Sequence, residues 1–573
     1  MEKPAQRRAA RGDALIAAAF ALVLGGAWAA RDWGALSALH LPDTDDALRL
    51  QQIRDWLGGQ AFGDVRQYRL AGGLAMHWSR LPDLVPAAMI AALRPMVGAQ
   101  TAEVATAIAW PILLFGAALA LIASITRTLA PAAARTAIIV GGIAYPVTTL
   151  FAPGRIDHHG MQMVLLLVAV RALIAAPSGA SGAVAGIAMA ASLIVGMELA
   201  PVLSLAALSV WLRWWWGSEG TGGQLAGLGI GLGAGIAVGA AGFATTDWTY
   251  LACDSFTRTV WTVAQTGAVI PLVLGLASPW LPRRWHRLAA SIIIGAAMAA
   301  MIAPGLRECV APYGRVDPLV TRLWLHHVGE AQSLLAAPVA TGLAYAGLLI
   351  AGIIASGWRV VATRAPGWAL ILALQVGALA VACFELRGVY AGVTLSAPAL
   401  AVAIGAARKR GPLWLAGAWI GSAGMLYPIA AQALAPPARP VPGCDIGAAL
   451  EQIGPATVMT SIDIGARALS QTHHRLIAAP YHRNNAGNGA MYRFFLGSPE
   501  AARAIAMRWR VDLVLLCPGD FAELTPAERP AASGLLPRLR RGTAPDWLIP
   551  VPVRGGARLW RVAGRLPPVG LAD

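Results

Sequence analysis

Three groups of residues in this sequence bear side chains that could do chemistry. Asp43, Asp45 and Asp46 lie in DTDDALRL; Asp157, His158 and His159 lie in PGRIDHHGMQM; Glu330 and Arg387 lie in VGEAQ and CFELRGVYAG. Hard divalent cations such as Mg²⁺ and Mn²⁺ take carboxylate and water oxygens, and Mn²⁺ accepts an imidazole as well. An arginine close by could hold a phosphate through paired hydrogen bonds. Each group also has a plainer reading. Asp43 or Thr44 could cap a helix DALRLQQIRDWL, which explains one aspartate well and three poorly. Asp157 could likewise cap the helix that follows it, with the histidines at an interface. Glu330 and Arg387 could be exposed charges beside apolar runs, and Glu198, directly after ASLIVGM, could belong to structure or to a site.

What positions these groups is a membrane. The chain has 573 residues, 57% hydrophobic and 13% charged, with a mean hydropathy of +0.59. Soluble domains carry about 25% charged residues, so composition alone indicates an integral membrane protein. Lys and Arg outnumber Asp and Glu by 45 to 29. In a soluble protein that excess would suggest nucleic acid; here it reads as basic cytoplasmic loops, and no nucleic acid partner is expected. The basic start with its apolar run, lacking a small-residue cleavage site, reads as an uncleaved first span. The absence of an organelle-targeting signal and the Ala, Gly and Arg content point to a bacterial inner membrane.

Lys3, Arg7, Arg8 and Arg11 place the N-terminus in the cytoplasm. A long first outer loop follows at about 34–102, in which LVPAAMIAAL is too short to span and suits an interfacial helix. Later spans, at about 103–125 and 136–152 and onward to about 412–433, then put Arg127, Arg135, Arg171, Arg213, the RRWHR at 283–287, Arg359, Arg364 and the RKR at 408–410 inside. About thirteen spans result. The acidic groups, with Glu198 and the loops 245–261 and 305–330, fall outside. Few ionisable residues sit at mid-membrane depth, where transporters and pumps place theirs. A catalytic face at the outer surface fits better than a flippase of lipid-linked sugars.

Past APPARPVPG (435–443) the composition becomes that of a soluble domain, so the domains read as 1–434 and 435–573. The second is α/β: ATVMTSIDIG is strand-like and ends in a turn, HHRLIAAPYH is a second strand, SPEAARAIAMRWR an amphipathic helix and VDLVLLC a buried strand. The glycine run at 223–242 has small-xxx-small spacing for close helix packing. Cys253 and Cys309 lie in outer loops, Cys444 and Cys517 in the C-terminal domain and Cys383 in a span. Two disulfides are possible and their pairing stays open.

In this order the pieces resemble the catalytic subunits of oligosaccharyltransferases, multi-span glycosyltransferases of the GT-C class. The resemblance covers nearly the whole chain as an architecture. It implies a mainly α membrane protein of about thirteen helices in a GT-C fold, with a C-terminal periplasmic α/β domain. Asp45 or Asp46 occupies the family's first-loop acidic position, as base or as an orienting carboxylate. GRIDHHG resembles the archaeal variant of the second acidic motif, which implies Asp157 and His159 as ligands, with Asp45, of Mn²⁺ or Mg²⁺. Glu330 resembles the glutamate of the fifth outer loop, and Arg387 the arginine that contacts the lipid pyrophosphate. Where the family has Trp-Trp-Asp-Tyr-Gly for the asparagine sequon, this chain has SIDIG at 461–465, keeping Asp463 and Gly465 and losing the aromatics. PYHRNNAGN (480–488), with His482, is the other candidate acceptor contact. The implied partners are a polyprenyl-linked sugar donor, membrane lipid and an acceptor the sequence does not identify.

Overall fold

The computed structural model describes residues 4–306, 309, 316–435 and 443–564. Lys3, parts of the loop 305–330 and most of the 435–443 linker lie outside the described residues. The chain forms two compact units. The first comprises Met1–Leu39, Trp78–Gly314 and Glu330–Pro437, and the second His40–His77, Arg315–Gly329 and Ala438–Asp573.

The first unit is helical. Among the described residues, six helices are long and apolar enough to cross a membrane: Arg8–Arg31, Ala99–Leu129, Thr221–Phe243, Arg258–Leu276, Arg284–Gly305 and Val339–Thr363. Two sharply bent pairs, Leu386–Thr394 with Ala397–Arg408 and Pro412–Ser422 with Leu426–Gln432, raise the number to as many as eight. Four shorter apolar helices, Leu84–Val97, His159–Ile174, Gly179–Val195 and Pro366–Ala382, accompany them. The expected span at 136–152 is broken: a helix ends at Gly142 and a 3₁₀ turn covers Val147–Phe151. Two glycines and Pro146 lie at the break, and the residue before a proline disfavours helix. The glycine run brings backbones together. A Cβ on Gly227 would meet Gly179 O at 2.0 Å, and one on Gly231 would meet Ala183 O at 2.2 Å. Cys253 and Cys309 are disulfide-bonded within this unit, as Cys444 and Cys517 are within the other.

The second unit is built on a five-stranded sheet. Its strands are β3 (Thr457–Met459), β4 (Arg475–Leu476), β5 (Leu513–Leu516), β6 (Leu548–Val551) and β7 (Arg558–Val562); a separate two-stranded ribbon, β1 (Arg66–Gln67) and β2 (Leu74–Ala75), precedes them. The order is β4-β3-β5-β7-β6, parallel among the first three and antiparallel at β7 and β6. Only the middle of ATVMTSIDIG is strand. Ser461 turns the chain (φ −60°, ψ 157°) and a helix runs from Ile462 to Gln471, so Asp463 and Gly465 are helical rather than in a strand-end turn. The burial of Ile462, Gly465, Ala466 and Leu469 on one face is a helix period, which overrides the strand-like composition.

The composition change at 435 marks where the largest piece of this unit begins, but packing draws in two earlier segments. Val320 and Leu323, from the helix Pro318–Leu323, join Met459, Met491, Phe494 and Phe495 in its core. The chain at 69–71 extends the sheet beyond β4, with Leu476 N–H donating to Arg69 O at 2.7 Å and Ala71 N–H to Leu476 O at 2.8 Å. Arg69 also donates to Leu469 O and Thr472 O, and Arg54 to Ser470 O, at 2.6–2.7 Å. These guanidiniums satisfy carbonyls that the end of the Ile462–Gln471 helix leaves open.

The first-loop acids open the helix Thr44–Leu57, where the Asp43 carboxylate accepts the Asp45 N–H at 3.2 Å as an N-cap. Asp43→Ala is expected to cost about 1 kcal/mol through loss of this cap. A lowered midpoint in thermal unfolding of the full chain would register it.

Candidate functional site

In the first unit, PGRIDHHG bends into the helix His159–Ile174. Asp157 Oδ1 accepts the His159 backbone N–H at 3.0 Å, and Oδ2 takes Arg155 Nη2 at 2.6 Å. Both side chains are nearly enclosed, at 1% exposed for Asp157 and 11% for Arg155. Burial by itself would raise the Asp157 carboxyl; the Arg155 guanidinium and the two imidazoles outweigh it and hold the group below the usual carboxylate range. The adjacent His158 is buried, and its Nε2 lies 3.0 Å from Glu198 Oε1. Gln162, one turn into the helix, donates to Glu198 Oε2 at 2.8 Å. A Cβ on Gly196 would come within 2.3 Å of that same oxygen, so the glycine makes room for the carboxylate. Burial again works to raise Glu198, and His158, His159 and Arg387 prevail and hold it well below the ordinary range.

Glu330 receives the Tyr390 hydroxyl at 2.8 Å, and Arg387 Nε donates to Glu385 at 2.7 Å. The two segments are laced together by Leu386 N–H to Gln332 O (2.7 Å) and Leu334 N–H to Ala382 O (2.9 Å). Asp157, His159, Glu330 and Arg387, separated widely in sequence, thus belong to one unit and share its electrostatics, since His159 feels Glu330 and Glu198 feels Arg387. Arg155, Gln162 and Tyr390 are the additions, and Glu198, open between structure and site in the sequence, joins them. Arg155 was legible two residues from Asp157. Glu198 stands 40 residues from His158, and no spacing in the sequence joins them.

The remaining candidates belong to the second unit. Asp46 is fully buried whereas Asp45 is half-buried, so Asp45 is the one with an accessible face. Tyr481 OH donates to Thr44 O at 3.1 Å beneath them. His482 starts a one-turn helix and stacks 4.9 Å from His77. Around it, Asn484 and Asn488 are spent on backbone: Asn484 donates to Ile477 O (3.0 Å) and Asn488 to Tyr481 O (3.1 Å). Gly465 has a packing reason, because a Cβ there would meet Ala478 O at 1.9 Å. Ser461, ahead of the helix, donates to Asp520 Oδ1 at 2.7 Å, while Cys517 N–H donates to Oδ2 at 2.8 Å.

Burial pushes Asp520 up to about 6. Between roughly pH 4 and 6 the folded chain therefore keeps a proton that the unfolded chain has lost, and stability falls as pH rises through that window. Asp520→Asn should remove a pH dependence of at most about 3 kcal/mol. Protease resistance of residues 443–564 in the full chain, compared at pH 5 and 7.5, measures it.

Among the described residues no three His, Cys, Asp or Glu side chains are grouped to hold a metal ion. The donor types suit Mn²⁺ or Mg²⁺, but the expected trio is divided, with Asp45 in the second unit and Asp157 and His159 in the first. Asp157 is moreover already paired with Arg155.

No protein-family model and no curated protein sequence matches the chain. Solved structures do. The archaeal oligosaccharyltransferase AglB from Archaeoglobus fulgidus, in complex with an inhibitory peptide and a dolichol-phosphate, is similar at a TM-score of 0.63 with 14% identity, over 90% of this chain and 70% of that one. The Archaeoglobus fulgidus oligosaccharyltransferase in its apo form gives 0.64 at 13% identity, over 88% and 69%. Its complex with Zn and sulfate gives 0.58 at 14%, over 88% and 67%. At these identities the likeness is one of fold: the chain shares the GT-C architecture of these enzymes.

Proposed function

We propose that this protein is a membrane glycosyltransferase that moves a sugar or oligosaccharide from a polyprenyl phosphate or pyrophosphate donor to an acceptor at the outer face of a bacterial inner membrane. The proposal includes about thirteen spans, a cytoplasmic N-terminus and a periplasmic second unit. One observation carries it: a chain with the GT-C fold gathers Asp157, His158, Glu198, Glu330 and Arg387 in its apolar, helical unit. Acids and a guanidinium beside membrane helices suit a phosphate leaving group better than a transport path.

In this reading Arg387 binds the donor phosphate and Tyr390 keeps the Glu330 carboxylate in place. Asp45, accessible where Asp46 is not, takes the acceptor's proton as base or orients its nucleophile. The acceptor is met by the second unit through Asp463, Gly465 and His482. An assisting Mn²⁺ or Mg²⁺ on Asp45, Asp157 and His159 is part of the proposal, and when bound it would neutralise charge on the departing phosphate. The Arg155–Asp157 pair favours a second form of the same chemistry, in which side-chain cations meet that charge without an ion.

The test uses purified full-length protein in lipid with polyprenyl-linked sugars and no added acceptor, so that water takes the sugar, following release of the polyprenyl phosphate or pyrophosphate with and without EDTA. Donor cleavage is expected. Loss with EDTA supports the ion-assisted form, and unchanged cleavage the ion-free one. Intact donor crossing the bilayer uncleaved would sink the transferase in favour of a flippase.

A further inference from the structure

The second unit contains a cavity of about 290 Å³ that the chemistry above leaves unused. It lies between the Phe521–Leu524 turn beyond β5 and the helix Leu535–Arg541. Its floor is apolar, with Phe521 5% and Leu536 1% exposed. Its rim holds three guanidiniums, Arg529, Arg540 and Arg541. Each is tethered to a backbone carbonyl: Arg529 Nε to Leu524 O at 3.3 Å, Arg541 Nη2 to Ala532 O at 2.7 Å, and Arg540 Nη2 to Asp520 O. None of the three forms an ion pair with a carboxylate among the described residues. Asp520, which Arg540 influences through space, spends its own oxygens on Ser461 and the Cys517 N–H.

Three guanidiniums around one hollow, none of them in an ion pair among the described residues, create a positive potential and offer planar donors that match a carboxylate or phosphate. The apolar floor suits the carbon face of a sugar ring. The volume sits at the lower end of small-molecule sites, which run from about 300 Å³ upward, so one ring fits better than several. Phe521 adds a sign of its own. Its φ is +61°, a conformation bulky residues rarely hold, and such outliers collect at ligand sites.

We propose that this cavity binds a single sugar unit bearing an oxyanion, a carboxylate or a phosphate, and that it receives the acceptor. Binding stands on the cavity alone, whereas the acceptor role rests on the transfer reading proposed above. Asp520 links the two, touching the cavity through Arg540 and the head of the Ile462–Gln471 helix through Ser461.

Full-length protein in detergent, without donor, is titrated with glucuronate, glucose 1-phosphate, glucose and inorganic phosphate, with binding followed by saturation-transfer NMR and calorimetry. Both acidic sugars should bind, with glucose and inorganic phosphate each at least about tenfold weaker. Arg529→Gln and Arg541→Gln should each weaken the acidic sugars about tenfold while the melting midpoint stays in place, and Arg529→Lys should recover part of the loss. Equal binding of glucose, equal binding of inorganic phosphate, or variants that bind as the parent does would each overturn the proposal. Because donor cleavage is assayed without acceptor, the two readings fail separately. Binding without cleavage keeps the pocket and removes its acceptor role, and cleavage without binding removes the pocket and leaves the transfer reading standing.

Discussion

Asp157→Ala should lower donor cleavage by about 10²–10³-fold, the size of effect seen when one preorganised electrostatic group is removed from a reacting centre. The same change should also destabilise the first unit, by up to about 3–5 kcal/mol, because it breaks a buried ion pair from one side. Arg155, 11% exposed, loses this carboxylate, and the His159 N–H loses its acceptor at the head of its helix. Asp157→Asn separates the contributions. Its amide oxygen can still accept the His159 N–H, so the helix start persists while the charge is lost. Cleavage per folded molecule, with the folded fraction set by thermal unfolding, should then fall nearly as far for Asn as for Ala, with a smaller drop in stability. Cleavage at parental levels in a folded Asp157→Ala protein would remove Asp157 from the site.

Arg387→Gln is the second large effect, and it should fall on activity rather than stability. At 22% exposed, with a partner in Glu385 that is 21% exposed, this ion pair is partly solvated, and such pairs contribute about 0–1 kcal/mol. Loss of a bidentate donor to phosphate should nonetheless reduce cleavage by about 10²-fold or more. Arg387→Lys should recover only part of it, because an ammonium is a point charge without the planar fork. A melting midpoint close to the parent's, beside a large fall in rate, is the expected signature. A matched fall in both would instead make Arg387 a structural residue.

Much of the site was legible because its chemistry is local. Asp157 and His159 stand within one short motif, and DTDD offers Asp43 or Thr44 as a cap, of which Asp43 makes the 3.2 Å contact. Glu198 could be placed only as structure or site, since what gives it meaning is His158 across 40 residues and the space left by Gly196. SIDIG misled for a related reason. Its β-branched residues look like strand, yet Ser461 ends the strand and starts a helix whose buried face is specified by contacts with the sheet. Gly465 has a packing reason that the sequence did not show, because its missing Cβ is demanded by the Ala478 carbonyl.

What the sequence determined by itself follows from hydropathy and short-range pattern: apolar helices in series, an α/β segment after them, and the acidic and basic residues that could meet a phosphate. Those properties depend on the energetic cost of charge in hydrocarbon and on periodicities a few residues long. Tertiary structure alone decided the rest. It recruited 40–77 and 315–329 into the second unit, because strand pairing at Leu476 and burial of Val320 and Leu323 reward contacts between distant segments. It joined His158 to Glu198 and Tyr390 to Glu330, and it gathered three arginines around a hollow. Such pairings depend on loop closure repaid by packing and hydrogen bonds, and nothing in the order of residues along the chain encodes their distances.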